Sequence, residues 1–87
     1  MDFEYDPAKS DANKAKHGID FEEAQSLWLD GRLLIAAART VDEPRYLAVG
    51  RIGARHWAAV FTVRGKTVRL ISVRRARTNE IDRYENQ

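Results

Sequence analysis

The 87-residue chain is expected to form one α+β domain, a small antiparallel β-sheet with two N-terminal helices and a C-terminal helix packed on it. Three observations carry that expectation. Two segments near the amino terminus have helical caps and helical spacing. From residue 33 onward the apolar period falls to two, and the last ten residues return to a helical pattern.

The elements follow in order. "DFEY" reads as a short first strand. Asp6 suits an N-cap, Pro7 the first helical position and Gly18 the C-terminal stop, so the first helix spans Pro7 to about His17. Ala8, Ala12 and Ala15 form a small-residue stripe on it, expected to pack closely, beside a polar stripe of Lys9, Asn13 and Lys16. A second helix starts at Asp20, with Glu23 at the capping-box position and Phe21, Ala24 and Trp28 on one apolar face, and ends at "LDGR".

"LLIAAAR", "RYLAVGRI", "WAAVFTVR" and "TVRLISVR" then read as four strands, joined by "TVDEP", by Gly53-Ala54 and by the turn Arg64-Gly65-Lys66. Connections this short imply an antiparallel meander. In the last strand Val68 and Leu70 are expected on one face and Ile71 and Val73 on the other, which predicts a cover on both sides. A final helix is predicted from Thr78 to Glu85, with Glu80 in its first turn, where the helix dipole favours an acid.

Charge is distributed unevenly. Residues 1–43 carry net −5 and residues 44–87 net +7, and eleven of the fifteen bases are arginine. Such asymmetry points to nucleic acid or another polyanion, and arginine's planar fork suits phosphate and carboxylate oxygens. A solvated basic face accounts for the charge equally well. The absence of cysteine excludes disulfides, thiolate chemistry and cysteine-based zinc sites. His17 and His56 lack metal-ligand spacing, so neither a metal nor a cofactor is expected. With no apolar run near 18 residues and an acidic start, the chain reads as soluble and cytoplasmic, without a membrane partner.

Several residues are candidates for chemistry. Arg74, Arg75 and Arg77 stand where the last strand passes into a loop, and strand alternation sends Arg74 and Arg75 to opposite faces. One can anchor structure while the other meets a ligand. The alternative is a set of surface arginines paired to acids such as Glu80 and Asp82. His17, at a helix end, is the side chain suited to exchange a proton near neutral pH, or else a helix cap. His56 reads as exposed. Glu43 and Arg45, two residues apart, form an ion pair or a general base with a phosphate clamp. Tyr46, Trp57, Phe61 and Tyr84 are candidates to stack bases, with Trp57 and Phe61 better explained as core.

Taken together, "FEYDPAKSDANKAKHGIDFEEA", "DEPRYLAVGRIG" and "VRLISVRRARTNEIDRYE" resemble the BrnT family, ribonuclease toxins of bacterial type II toxin-antitoxin pairs. The pieces F-x-[WY]-D-x-x-K, N-x-x-K-H-G-x-x-F, E-x-R and I-S-x-R-x-A with E-x-x-x-Y occur in order over nearly the whole chain. Two positions depart: Tyr5 stands where tryptophan is common, and Val73 where a small alanine is usual. Neither touches charge.

The resemblance implies a RelE-like fold, metal-free endoribonuclease activity that inhibits growth, and a cognate DNA-binding, BrnA-like antitoxin that alone contacts operator DNA. The matching positions are Lys9, Asn13, Lys16, His17, Glu43, Arg45, Arg74, Arg77, Glu80 and Tyr84, with Arg75 basic beside them. Metal-free cleavage uses the 2′-hydroxyl as nucleophile, so one proton is removed, one supplied, and charge stabilised on the phosphorane. Accordingly His17, Glu43, Arg74 and Arg77 are expected to be catalytic: Arg74 and Arg77 stabilise charge, and His17 or Glu43 transfers the proton. Lys9, Lys16, Arg45, Arg75 and Tyr84 are expected to bind RNA, and Glu80 and Tyr84, one turn apart, to brace the arginines. The competing reading is a module that binds nucleic acid or docks a partner without catalysis.

Overall fold

A computed structural model describes residues 1–38 and 42–87. The predicted strand end at Arg39 and the start of the "TVDEP" connection at Thr40 and Val41 lie outside the described residues. The elements are β1 (Asp2–Glu4), α1 (Pro7–His17), α2 (Phe21–Ala24) with a 3₁₀ segment (Gln25–Leu29), β2 (Leu34–Ala38), β3 (Arg45–Ile52), β4 (Arg55–Arg64), β5 (Thr67–Arg75) and α3 (Thr78–Glu85).

Local chemistry sets the helix ends. The Asp6 carboxylate accepts the Ala8 N–H at 2.9 Å. Gly18 closes α1 at φ +82°, where its N–H donates to the Lys14 carbonyl, a left-handed cap that glycine adopts without steric cost. Asp20 and Glu23 form a reciprocal capping box. The second helix is α-helical only as far as Ala24 and continues to Leu29 as a 3₁₀ segment.

The sheet has five strands in the order β1-β5-β4-β3-β2. β2 to β5 form the antiparallel meander. β1, however, pairs in parallel with β5, Asp2 against Thr67 through Glu4 against Arg69. The sheet is therefore mixed, which corrects the expectation of an all-antiparallel one. Alternation cannot reveal the direction of a neighbour.

A second correction concerns β5. Val60 pairs with Ser72 while Phe61 pairs with Leu70, so Ile71 is an extra residue in the ladder. This bulge resets the alternation. Val73 joins Val68 and Leu70 in the main core with Phe21, Leu27, Trp57 and Phe61, rather than facing the other way with Ile71. On the opposite face, Tyr84 of α3 packs on Val49 and Ala58.

The third correction concerns α1. Its alanine stripe, Ala8, Ala12 and Ala15, is exposed, and Ser10 and Asn13 are its buried residues. The helix is held by hydrogen bonds instead of close apolar packing. Ser10 Oγ accepts the Phe21 N–H at 2.9 Å, and Asn13 reaches β5.

Asp30 ties together the sheet end at which β5 finishes, on the β3 side. Its carboxylate accepts the N–H groups of Arg32 at 2.8 Å and Arg51 at 2.9 Å and the Tyr84 hydroxyl at 2.6 Å. Burial works against the charged form, but these donors outweigh it and hold the Asp30 pKa below the ordinary range. Gly50 leaves the necessary room: a Cβ there would lie 2.9 Å from Leu33 Cδ1, 3.1 Å from Leu27 Cδ2 and 3.2 Å from Asp30 Oδ2. Gly50→Ala is expected to cost about 1–3 kcal/mol through overpacking. Thermal unfolding checks this, with a midpoint lowered by roughly 5–15 °C.

Candidate functional site

The carboxyl end of β5 divides its arginines by role. Arg74, opposite Ala58, lies on the α3 side of the sheet. Its guanidinium meets Glu80 in a two-pronged pair, Nη1 to Oε1 at 2.8 Å and Nη2 to Oε2 at 2.9 Å. Glu80 is 8% exposed and also accepts the Arg77 N–H at 2.8 Å. The Arg74 hydrogen bonds, reinforced by Arg77, overcome burial and lower the Glu80 pKa. Arg75 lies on the other face, paired across the sheet with Trp57, and its guanidinium sits 5.5 Å from the centre of that ring. Arg77, the N-cap of α3, is exposed.

α1 is fastened to this strand end by one side chain. Asn13 Nδ2 donates to the carbonyls of Ile19 at 2.8 Å and Val73 at 2.9 Å, and Oδ1 accepts the Val73 N–H at 3.1 Å. β1 pairs with β5 only as far as Arg69, so the amide of Asn13 completes the hydrogen bonding of Val73 as a further strand would. Lys16 and His17 follow Asn13 by one helical turn on the same side, and Lys9 precedes it by one turn. Both lysines are exposed and His17 is half-buried. The helix and the strand that carry the amino-terminal and carboxyl-terminal candidates are thus joined by the Asn13–Val73 contact, between residues 60 apart in sequence.

Other candidates lie elsewhere. Arg45 opens β3 opposite Ala38, and the Thr62 hydroxyl donates to the Pro44 carbonyl at 2.8 Å. This places Glu43 and Arg45 level with the Thr62–Arg69 pair, whereas Arg74 is level with Ala58. Four residues of β4 separate the two levels, about 13 Å along the strand. Tyr84 is 3% exposed with its hydroxyl on Asp30. It packs the core face under α3 and does not brace the arginines; of the two expected braces, Glu80 does so.

His56 is not exposed scenery. Its Nε2 lies 2.7 Å from Glu85 Oε2, and its ring stands edge-to-face on Tyr84 with centroids 5.3 Å apart. Arg32 reaches the same helix end, donating to the carbonyls of Tyr84 at 3.5 Å and Glu85 at 3.3 Å. Neither contact can be read from spacing, since the partners stand 29 residues apart for His56 and Glu85 and 52 and 53 apart for Arg32. Asp30 had a local signal: an aspartate accepting the N–H two residues on is an Asx turn.

An open cleft of about 520 Å³ lies beside Leu29, Asp30, Arg51, Ile52 and Tyr84. Its acid, Asp30, already accepts three hydrogen bonds, from Arg32, Arg51 and Tyr84, and so serves to hold the fold at this point. Among the described residues no cluster of three or more His, Asp or Glu side chains could hold a metal ion. What the β5 end does offer is a junction at which the helix bearing Lys9, Lys16 and His17 is hydrogen-bonded to the strand that ends in Arg74 and Arg75, with Arg77 two residues on.

Residues 5–80 match the family model of the ribonuclease toxin BrnT of type II toxin-antitoxin systems. The chain belongs to the BrnT family. The match takes in both halves of the β5 junction, from α1 to Glu80. No curated protein matches the chain. As a BrnT-family member it is a ribonuclease toxin of a type II pair, for which an antitoxin protein is the partner. No helix among the described residues is long and apolar enough to cross a membrane.

Proposed function

We propose that this BrnT chain is a metal-independent endoribonuclease whose reacting group sits at the carboxyl end of β5. The observation that carries the reading is the double hydrogen bond of Asn13 to Val73, which fixes the helix bearing Lys16 and His17 against the strand bearing Arg74 and Arg75.

In this mechanism the 2′-hydroxyl attacks the adjacent phosphorus while its proton passes to a base, and the 5′-oxygen leaves with a proton supplied to it. The products are a 2′,3′-cyclic phosphate and a 5′-hydroxyl. His17 takes the 2′-hydroxyl proton on its imidazole and returns it, as the imidazolium, to the leaving 5′-oxygen. Arg75 and Arg77 stabilise charge on the phosphorane. Arg74, which shares two of its donors with Glu80, contributes a fixed positive charge and holds the strand end in place. Lys9 and Lys16 draw in the RNA backbone. Glu43 and Arg45, at the other level of the sheet, guide more distant nucleotides.

The order of elements agrees with a RelE-like fold. A DNA-binding antitoxin of the BrnA kind, made in the same cytoplasm, would neutralise the toxin and alone contact operator DNA. The test is cleavage of single-stranded RNA by purified protein with a chelator present, followed by analysis of the ends. Cyclic phosphate and 5′-hydroxyl ends are expected, and His17→Ala and Arg75→Ala should each lower the rate about 10²-fold with unchanged circular dichroism. Ends bearing a 5′-phosphate, loss of cutting with chelator, or full activity in both variants would reject the mechanism. Binding without cutting would favour a nucleic-acid-binding module instead.

A further inference from the structure

Arg55 opens β4, two residues before Trp57, and so lies on the same face of the sheet as Trp57, Ala59 and Phe61. Trp57 is paired directly with Arg75. Arg55 and Arg75 are therefore diagonal neighbours on one face, with Cα atoms about 7–8 Å apart, and the Trp57 ring lies under the Arg75 guanidinium. Arg55 is held there by the two-residue turn Gly53-Ala54, which closes the Ile52–Arg55 pair with Gly53 at φ +62°.

Neither guanidinium meets a carboxylate among the described residues. Two acids at this end of the sheet are already engaged, Glu80 by Arg74 and Glu85 by His56. Three arginines elsewhere do have company: Arg64 and Arg69 flank Glu4, each at 3.8 Å, and Arg32 caps α3. Like charges held as neighbours on one sheet face repel each other. An anion between them, or one under each, relieves the repulsion, and the diagonal spacing is comparable with that of consecutive phosphates in an extended single strand.

We infer that Arg55 is a second phosphate-binding arginine, acting with Arg75 on neighbouring positions of the RNA backbone. The inference rests on the ribonuclease reading above and adds to it a binding position outside the carboxyl-terminal motif, on the hairpin between β3 and β4. Each phosphate neutralised on a single strand contributes about 0.7 to the slope of log affinity against log salt.

The test is binding of a short 2′-O-methyl RNA, which cannot be cut by this route, over a range of salt concentrations. Arg55→Ala is expected to lower the slope by about 0.7, Arg75→Ala by a similar amount and the double variant by about twice that. Lys66→Ala, at the tip of the turn between β4 and β5 at the opposite end of the sheet, should leave it unchanged. Arg55 is exposed, so its replacement should not move the thermal midpoint. A wild-type slope for Arg55→Ala overturns the inference, as does an equal drop for Lys66→Ala, which would reflect net charge alone. An unchanged slope with a weakened antitoxin complex also overturns it, assigning Arg55 to the protein partner. Cleavage of unmodified RNA by the wild type separates the two claims. If the wild type cuts and Arg55→Ala keeps its slope, only this inference fails; if the wild type neither cuts nor binds, the ribonuclease reading fails with it.

Discussion

Asn13→Ala is expected to destabilise the fold by about 3–5 kcal/mol, because it strands the N–H and C=O of Val73 and the C=O of Ile19, each buried group costing about 1–3 kcal/mol when left unpaired. Domains of this kind have only about 5–15 kcal/mol of total stability, so the variant should be close to unfolding at growth temperature. Asn13→Asp should not rescue it: the carboxylate keeps the acceptor for the Val73 N–H but turns a second oxygen towards two carbonyls. Ala12→Gln, on the exposed side of the same helix, should stay within about 0.5 kcal/mol of wild type. Urea unfolding at constant slope measures all three. A loss below about 1 kcal/mol for Asn13→Ala would mean that α1 is held by something other than this amide.

The second large effect belongs to Glu80. Glu80→Ala leaves the Arg74 guanidinium, only 25% exposed in its side chain, without its carboxylate and with only the Arg75 carbonyl to donate to at 3.3 Å, and removes the acceptor of the Arg77 N–H. The expected loss is about 2–4 kcal/mol. Glu80→Gln, which keeps an acceptor but not the charge, should fall between. Acid sensitivity follows from the same pair. The folded-state pKa of Glu80 is lowered, first by the Arg74 hydrogen bonds, and that of Asp30 is also lowered, its donors outweighing burial. A depressed folded pKa gives stability that is present above the unfolded value, about 4 for carboxylates, and is lost as pH falls through the folded value. Stability should therefore be flat from pH 7 to about 5 and fall below about 4. Chemical denaturation from pH 2 to 7 checks this, with a shallower fall expected in Glu80→Gln and Asp30→Asn. An equally steep fall in both variants would place the acid transition on other groups.

The parts of the fold that were legible in the sequence are those fixed within a few residues. Asp6, Gly18 and the Asp20–Glu23 pair mark helix ends because a cap is a contact between near neighbours. The meander strands show through their period of two. Trp57 and Phe61 are core as their size suggested, 6% and 3% exposed. The site was half legible in the same sense: a cationic strand end was visible, but not which arginine was committed to an acid. Arg74 and Arg75 differ by one residue, and their division between Glu80 and the Trp57 face depends on which side of the sheet α3 covers.

By itself, then, the sequence determined the order of elements, the concentration of arginine in the second half and the motifs of the BrnT family. Tertiary structure alone decided four further points: that β1 joins β5 in parallel, that Ile71 bulges and returns Val73 to the main core, that α1 turns Asn13 rather than its alanines inward, and that Glu43 and Arg45 stand apart from the β5 end. The physical reason is range. Capping and periodicity are set by residues three or four positions apart. Strand partners and the inward face of a helix are set by competition among distant backbone groups for hydrogen bonds, and here Val73 obtained its partner from a residue 60 positions away.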